Sequence, residues 1–275
     1  MTPTAWIGLL ITIVSEAATL AHIEPFWSWN TPICWTGFIL FADAVVFRAT
    51  GRSWMRTSPR EFVYLALLSI PFWLVFEFYN RFIDNWYYVG LPENAALRYF
   101  GYAWSFATIW PAIFEGADLV AVARGYRGGT ALSVGGPWRP VPLFVSVIGV
   151  AMLAWPLVWP SRYLAAPVWL GFILLLDPIN DRMGGTSFVR SIRDGYNDGV
   201  INLCASGFLC GFLWEFWNYW SRSKWHYTVP IMENVKLFEM PLPGFLGFPA
   251  FALECSAMYS FVRTAVRNLG RRITL

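Results

Sequence analysis

The chain has 275 residues, 57% of them hydrophobic and 13% charged, with a formal net charge of +3. A soluble domain carries about 25% charged residues, so a single water-soluble core is excluded, and so small a charge leaves nucleic acid unexpected as a partner. The 17 Trp, 12 Tyr and 23 Phe suit rings at the two interfaces of a membrane.

A membrane span needs roughly 20 mostly apolar residues. Hydropathy along the chain predicts eight: 5–23, 31–48, 61–80, 99–122, 141–159, 164–180, 199–219 and 245–265. The first is read as a membrane helix rather than a signal peptide, because no basic stretch precedes it and Glu16 interrupts it. The outer loops 81–98 and 220–244 are long and aromatic, and read as interfacial lids or as headgroup-level belts. Gly128-Gly129 and Gly135-Gly136 mark a linker over 124–140, dividing a first unit, 1–123, from a second, 141–275. Asp194-Gly-Tyr-Asn-Asp198 lacks the spacing of a calcium loop and reads as the cap of the seventh helix.

Lys and Arg collect on the cytoplasmic side of a membrane protein. Fourteen of the 20 basic residues, among them Arg48, Arg52, Arg56, Arg60, Arg182 and Arg263, fall on one side of this topology. The other side receives Arg81, Arg98, Arg162, Arg222, Lys224 and Lys236. Both termini are therefore expected in the cytoplasm, and a bacterial cytoplasmic membrane is the expected setting. Cys34, Cys204, Cys210 and Cys255 have no metal-ligand spacing and read as small buried hydrophobes. With only two His, no metal or cofactor is expected.

The two halves repeat each other. Gly37-Phe-Ile-Leu-Phe-Ala-Asp43 matches Gly171-Phe-Ile-Leu-Leu-Leu-Asp177, and Phe76-Glu-Phe-Tyr-Asn80 matches Trp214-Glu-Phe-Trp-Asn218. Asn85-Trp-Tyr-Tyr88 matches Lys224-Trp-His-Tyr227, and Glu115 matches Glu254. The offsets run 134, 138, 139 and 139, as a duplication with short insertions requires. Each unit has an even number of spans, so the fold class expected is an all-α membrane protein of two tandem four-helix units in parallel orientation, related by a two-fold along the membrane normal.

Acids inside spans are costly, about 2.5–3.5 kcal/mol at the centre on translocon scales, and they mark candidate sites. Asp43 and Asp177 read as structural polar pairs, with Arg48 and Arg182 five residues on. Glu77 and Glu215 lie near the outer ends of their helices, one turn before Asn80 and Asn218. Glu115 and Glu254 lie within theirs, after Pro111 and Pro249, which suggest an irregular backbone. One reading makes these acids interhelical glue. The other has Glu115 and Glu254 face an apolar cavity as general acids, with Glu77 and Glu215 positioning or reprotonating. Asn80, Asn218, Trp86, Trp225, His226 and Tyr227 are then the candidate ligand-binding residues.

At Trp214-Glu215, Lys224-Trp-His-Tyr227, Gly244-Phe245 and Glu254 the second unit resembles the membrane lycopene cyclase domain family, and Glu77, Trp86 and Glu115 repeat the pattern in the first. The resemblance implies tandem membrane units and redox-neutral cyclisation of a polyene by protonation. The family's second Glu is Gly116 and Cys255 here, and each unit has four helices where the family has about three. Three readings stay open: an acid–base cyclase or isomerase of an isoprenoid, a non-catalytic subunit of a larger membrane complex holding quinone, carotenoid or lipid, and a transporter.

Overall fold

The computed structural model describes residues 2–125 and 141–273, so the expected linker falls, from 126 on, outside the described residues. The order is α1 (Pro3–Leu20), α2 (Phe26–Thr50), α3 (Trp54–Thr57), α4 (Pro59–Ile83), β1 (Trp86–Val89), α5 (Ala95–Ala123), α6 (Phe144–Val158), α7 (Ala165–Met183), α8 (Phe188–Arg193), α9 (Asp198–Trp220), β2 (Lys224–Tyr227), β3 (Lys236–Leu237), β4 (Met240–Pro241), a 3-10 turn (Leu242–Leu246) and α10 (Gly247–Ile273).

All eight apolar segments are helical. Among the described residues, six helices are long and apolar enough to cross a membrane: α1, α2, α4, α5, α9 and the helix over Leu242–Gly270. α6 is apolar but only 15 residues long, and α7 carries Asp177, Asp181 and Arg182 in its last turns. The outward faces are greasy, as lipid contact requires: Trp6, Ile7, Leu10 and Ile13 of α1 and Val63, Leu67 and Leu74 of α4 are at least half exposed.

Small residues let the helices cross closely, since lipid offers no hydrophobic drive between them. A Cβ on Gly8 of α1 would stand 2.5 Å from the Gly37 carbonyl oxygen of α2. One on Gly149 of α6 would stand 2.3 Å from the Leu175 nitrogen of α7. The halves interlock, with α4 packed against α6 and α7 and α9 packed against α1 and α2. Hydrophobic spacing could not supply the two short helices that follow α2 and α7. Each receives the acid before it. Asp43 Oδ1 accepts from the Met55 N–H of α3 at 2.9 Å, and Asp177 Oδ1 from the Phe188 N–H of α8 at 2.6 Å.

Two local expectations are corrected. α5 runs through Pro111 with helical backbone, and Pro249 is the third residue of α10, where a missing N–H costs no helical bond. Asn197 precedes α9 but its side chain caps nothing, and Asp198 instead pairs with Arg124 at 2.9 Å.

The outer loops meet. β1 and β2, one from each half, form an antiparallel pair in which Trp86 faces Tyr227, Tyr87 faces His226 and Tyr88 faces Trp225.

Candidate functional site

Beneath this ribbon lies a chamber of about 440 Å³, within the range of small-molecule sites. Trp35 of α2, Trp73 of α4, Phe106 of α5, Trp169 of α7, Trp214 of α9 and Phe251 of α10 line its interior. Phe251 is the hub, with ring centroids 5.8 Å from Trp73, 5.6 Å from Trp169 and 5.5 Å from Phe76 and Trp110. Trp73 and Trp214 approach to 5.5 Å across the two halves. Such offset and edge contacts suit the ring quadrupoles and leave faces for a flat or cationic guest.

The ribbon closes the chamber with alternate side chains, because successive strand residues point to opposite faces. Trp86, Tyr88, Trp225 and Tyr227 line the chamber. Tyr87 and His226 do not; they meet each other on the far face, ring centroids 5.6 Å apart. His226, expected among the ligand-binding residues, thus stands on the face of the ribbon away from the chamber. Its Nδ1 lies 2.8 Å from Glu239 Oε2, and Lys224 Nζ lies 3.1 Å from Glu239 Oε1. Burial alone would raise the Glu239 carboxyl, but the hydrogen bonds and charges of His226 and Lys224 outweigh it and hold the group below its ordinary value.

Glu77 and Glu215 stand behind the ribbon. Glu77 Oε1 accepts from Tyr88 Oη at 2.6 Å, Trp73 Nε1 at 2.9 Å and Trp86 Nε1 at 3.2 Å. Glu215 Oε1 accepts from Tyr227 Oη at 2.7 Å, and Trp225 Nε1 donates to Tyr227 Oη at 2.9 Å. Burial, reinforced by these carboxyls, pushes both phenols well above their ordinary values, so both remain protonated donors at neutral pH. Asn80 and Asn218, also expected among the ligand-binding residues, do not line the chamber. Asn218 accepts from the Trp225 N–H and donates to its carbonyl, both at 2.9 Å. Asn80 accepts from the Trp86 N–H at 3.2 Å and donates to its carbonyl at 2.8 Å. The two amides clamp the strands whose side chains they were expected to join.

Glu115 and Glu254 are fully buried; Glu115 stands near the Asp43 side chain and Glu254 near the Phe172 backbone, but among the described residues neither carboxyl makes a well-formed hydrogen bond. They point into the protein, yet neither lines the chamber. Glu254 sits one helical turn beyond Phe251, and the charged neighbours of Glu115 are Asp43 and Asp118. The contacts of Asp43 and Asp177 are not with Arg48 and Arg182. Asp43 has Arg56 at 3.4 Å, and Asp177 takes the Ser187 hydroxyl at 2.8 Å and the N–H groups opening α8. Among the described residues, no group of three His, Cys, Asp or Glu could hold a metal ion.

Sequence reasoning did not single out Trp35, Trp73, Trp169 or Phe251. Two signals were present: Trp73 precedes Glu77 by one turn and Trp214 adjoins Glu215. Comparison with protein families, with curated proteins and with solved structures finds no match to this chain.

Proposed function

We propose that the chain is an eight-span protein of the bacterial cytoplasmic membrane that holds an isoprenoid-type ligand in the aromatic chamber. Its spans are two tandem four-helix units in parallel orientation, with both termini cytoplasmic. Four correspondences support the repeat. They are the Gly8–Gly37 and Gly149–Gly171 crossings, the Asp43 and Asp177 contacts with α3 and α8, the Asn80 and Asn218 clamps, and the ribbon register. With an offset of 139, Trp86 becomes Trp225 and Tyr88 becomes Tyr227, and the observed pairs exchange partners, as a two-fold through the Tyr87–His226 pair requires.

The observation that carries the functional reading is the chamber wall itself: facing Trp and Phe rings from both halves beneath the ribbon. Binding is favoured over acid catalysis because Glu115 and Glu254 lie outside the lining and the acids nearest it, Glu77 and Glu215, are engaged by Tyr88 and Tyr227. The test is organic extraction of the purified protein and mass analysis of what it carries. An isoprenoid enriched over the surrounding membrane, and lost in a Trp73→Ala, Trp214→Ala double variant, supports the reading. An extract identical to bulk membrane lipid, in the protein as purified and after incubation with a mixed isoprenoid extract, refutes it. If a ligand is bound, Glu215→Gln and Tyr227→Phe then separate a holder from an isomerase, since only the isomerase loses turnover while keeping the ligand.

A further inference from the structure

The chamber wall is not apolar throughout. One face of α5 runs along it from Arg98 through Gly101, Tyr102 and Ser105 to Phe106 and Ile109. These positions recur every three or four residues, so they form one stripe about 16 Å long. The stripe is polar at the lid end and apolar within.

Arg98 is half-buried at the top of that stripe. No carboxylate stands within ion-pair distance of it among the described residues; its guanidinium lies only over the ring of its neighbour Tyr99, at 5.8 Å. The other cation on the lining, Lys224, is neutralised by Glu239 at 3.1 Å. Across from the stripe, α2 departs from helical geometry at Trp29 (φ −121°, ψ 26°), and two residues later Thr31 lines the chamber. Thr31 is only 8% exposed and its hydroxyl has no hydrogen-bond partner. Asn85, also on the lining and 2% exposed, has an unpartnered Oδ1. Buried polar atoms are rarely left unmet, and a guanidinium without a carboxylate partner on the same lining is a ready receptor for an oxyanion. The corresponding entrance in the second half, at Gly244, Leu246, Gly247 and Phe248, offers no charge.

We propose that the chamber's ligand is an anionic amphiphile, with a carboxylate or phosphate head at Arg98 and Thr31 and a single apolar tail laid along the α5 stripe onto the Trp and Phe rings. This rests on the chamber's holding an isoprenoid-type ligand and adds the head group.

The test uses the full-length protein in detergent, with quenching of its tryptophan fluorescence as the readout. Farnesyl monophosphate is titrated against farnesol, and dodecanoate against dodecanol. In the wild type at least one anion is expected to bind about tenfold more tightly than its alcohol, the effect of one charge-assisted contact. Arg98→Gln removes that advantage, and its elution with wild type on size exclusion in detergent shows that the variant is folded. Arg98→Lys retains part of it, and Arg81→Gln, away from the chamber, retains all of it. An advantage confined to the phosphate identifies a prenyl phosphate head; one shared by dodecanoate identifies a general oxyanion site. Equal affinity of anion and alcohol in the wild type, or an advantage that survives Arg98→Gln, overturns the head-group assignment and spares the chamber. Failure of all four probes to bind overturns both.

Discussion

Asn218→Leu keeps nearly the volume of the side chain and removes both hydrogen bonds that tie β2 to α9. Asn218 is fully buried, and its partners are the N–H and carbonyl of one residue, Trp225, at 2.9 Å each. Leaving a buried polar group unmet costs about 1–3 kcal/mol, so two cost about 2–6 kcal/mol. The strand can relax toward the lid surface, which places the expected cost near the lower end, about 2–3 kcal/mol. That corresponds to a rise of about 30- to 150-fold in local opening. Hydrogen exchange of a peptide covering 222–229, measured in detergent, reads this directly, and the helical core serves as internal reference. Asn80→Leu is expected to act alike at Trp86, somewhat more weakly because Asn80 is only half-buried. Exchange within threefold of wild type for Asn218→Leu would show that the clamp does not hold the ribbon.

The Glu239 carboxyl is depressed in the folded protein, so its ties to His226 and Lys224 contribute stability that is present above the ordinary carboxylate range and is lost as pH falls through it. Exchange protection over 224–240 is expected to decline on acidification in the wild type and to be pH-independent in Glu239→Gln. Gly211→Ala would put a Cβ 2.2 Å from the Phe248 ring, an overpacking expected to cost about 1–3 kcal/mol in a denaturation midpoint; an unchanged midpoint would mean that α9 and α10 have slack there. Reporter fusions after Arg124 and after Lys236 should land on opposite sides of the membrane, and finding both on one side would end the eight-span topology. Glu254→Gln and Glu115→Gln should both fold, since an amide of equal volume replaces an acid that makes no well-formed hydrogen bond; loss of the folded protein in either would show that the contact with the Phe172 backbone or with Asp43 needs the carboxyl.

The eight helical segments were legible because apolar runs of this length have few other fates. The acids were legible because each is costly in a span, so chance matching of Asp43 with Asp177 or Glu77 with Glu215 stood out. What the acids touch was not legible. Asp43 reaches α3 and Asp177 reaches α8, helices of four and six residues too short to show in the hydrophobic spacing. The ribbon joins Trp86 to Tyr227, about half the chain apart, and no local pattern encodes a pairing of that span. His226 and Tyr227 are neighbours in sequence and face opposite ways, so the candidate set mixed lid with lining. The chamber wall was hidden for a different reason: with 19% aromatic residues, one more Trp carries little information until the helices are assembled.

The ribbon also sets an order on biosynthesis. β1 emerges with the first half, and its partner β2 appears only after α6, α7 and α9 have been made. Until then the backbone edge of 86–89 is open, and an open edge is a template for whatever strand arrives first. A fragment ending near Arg124 carries Trp86 and Tyr88 in the same places that Trp225 and Tyr227 occupy across the ribbon, so two such fragments could pair with each other edge to edge. The late strand is then more than a cover. It also occupies the backbone edge that the first half would otherwise leave open.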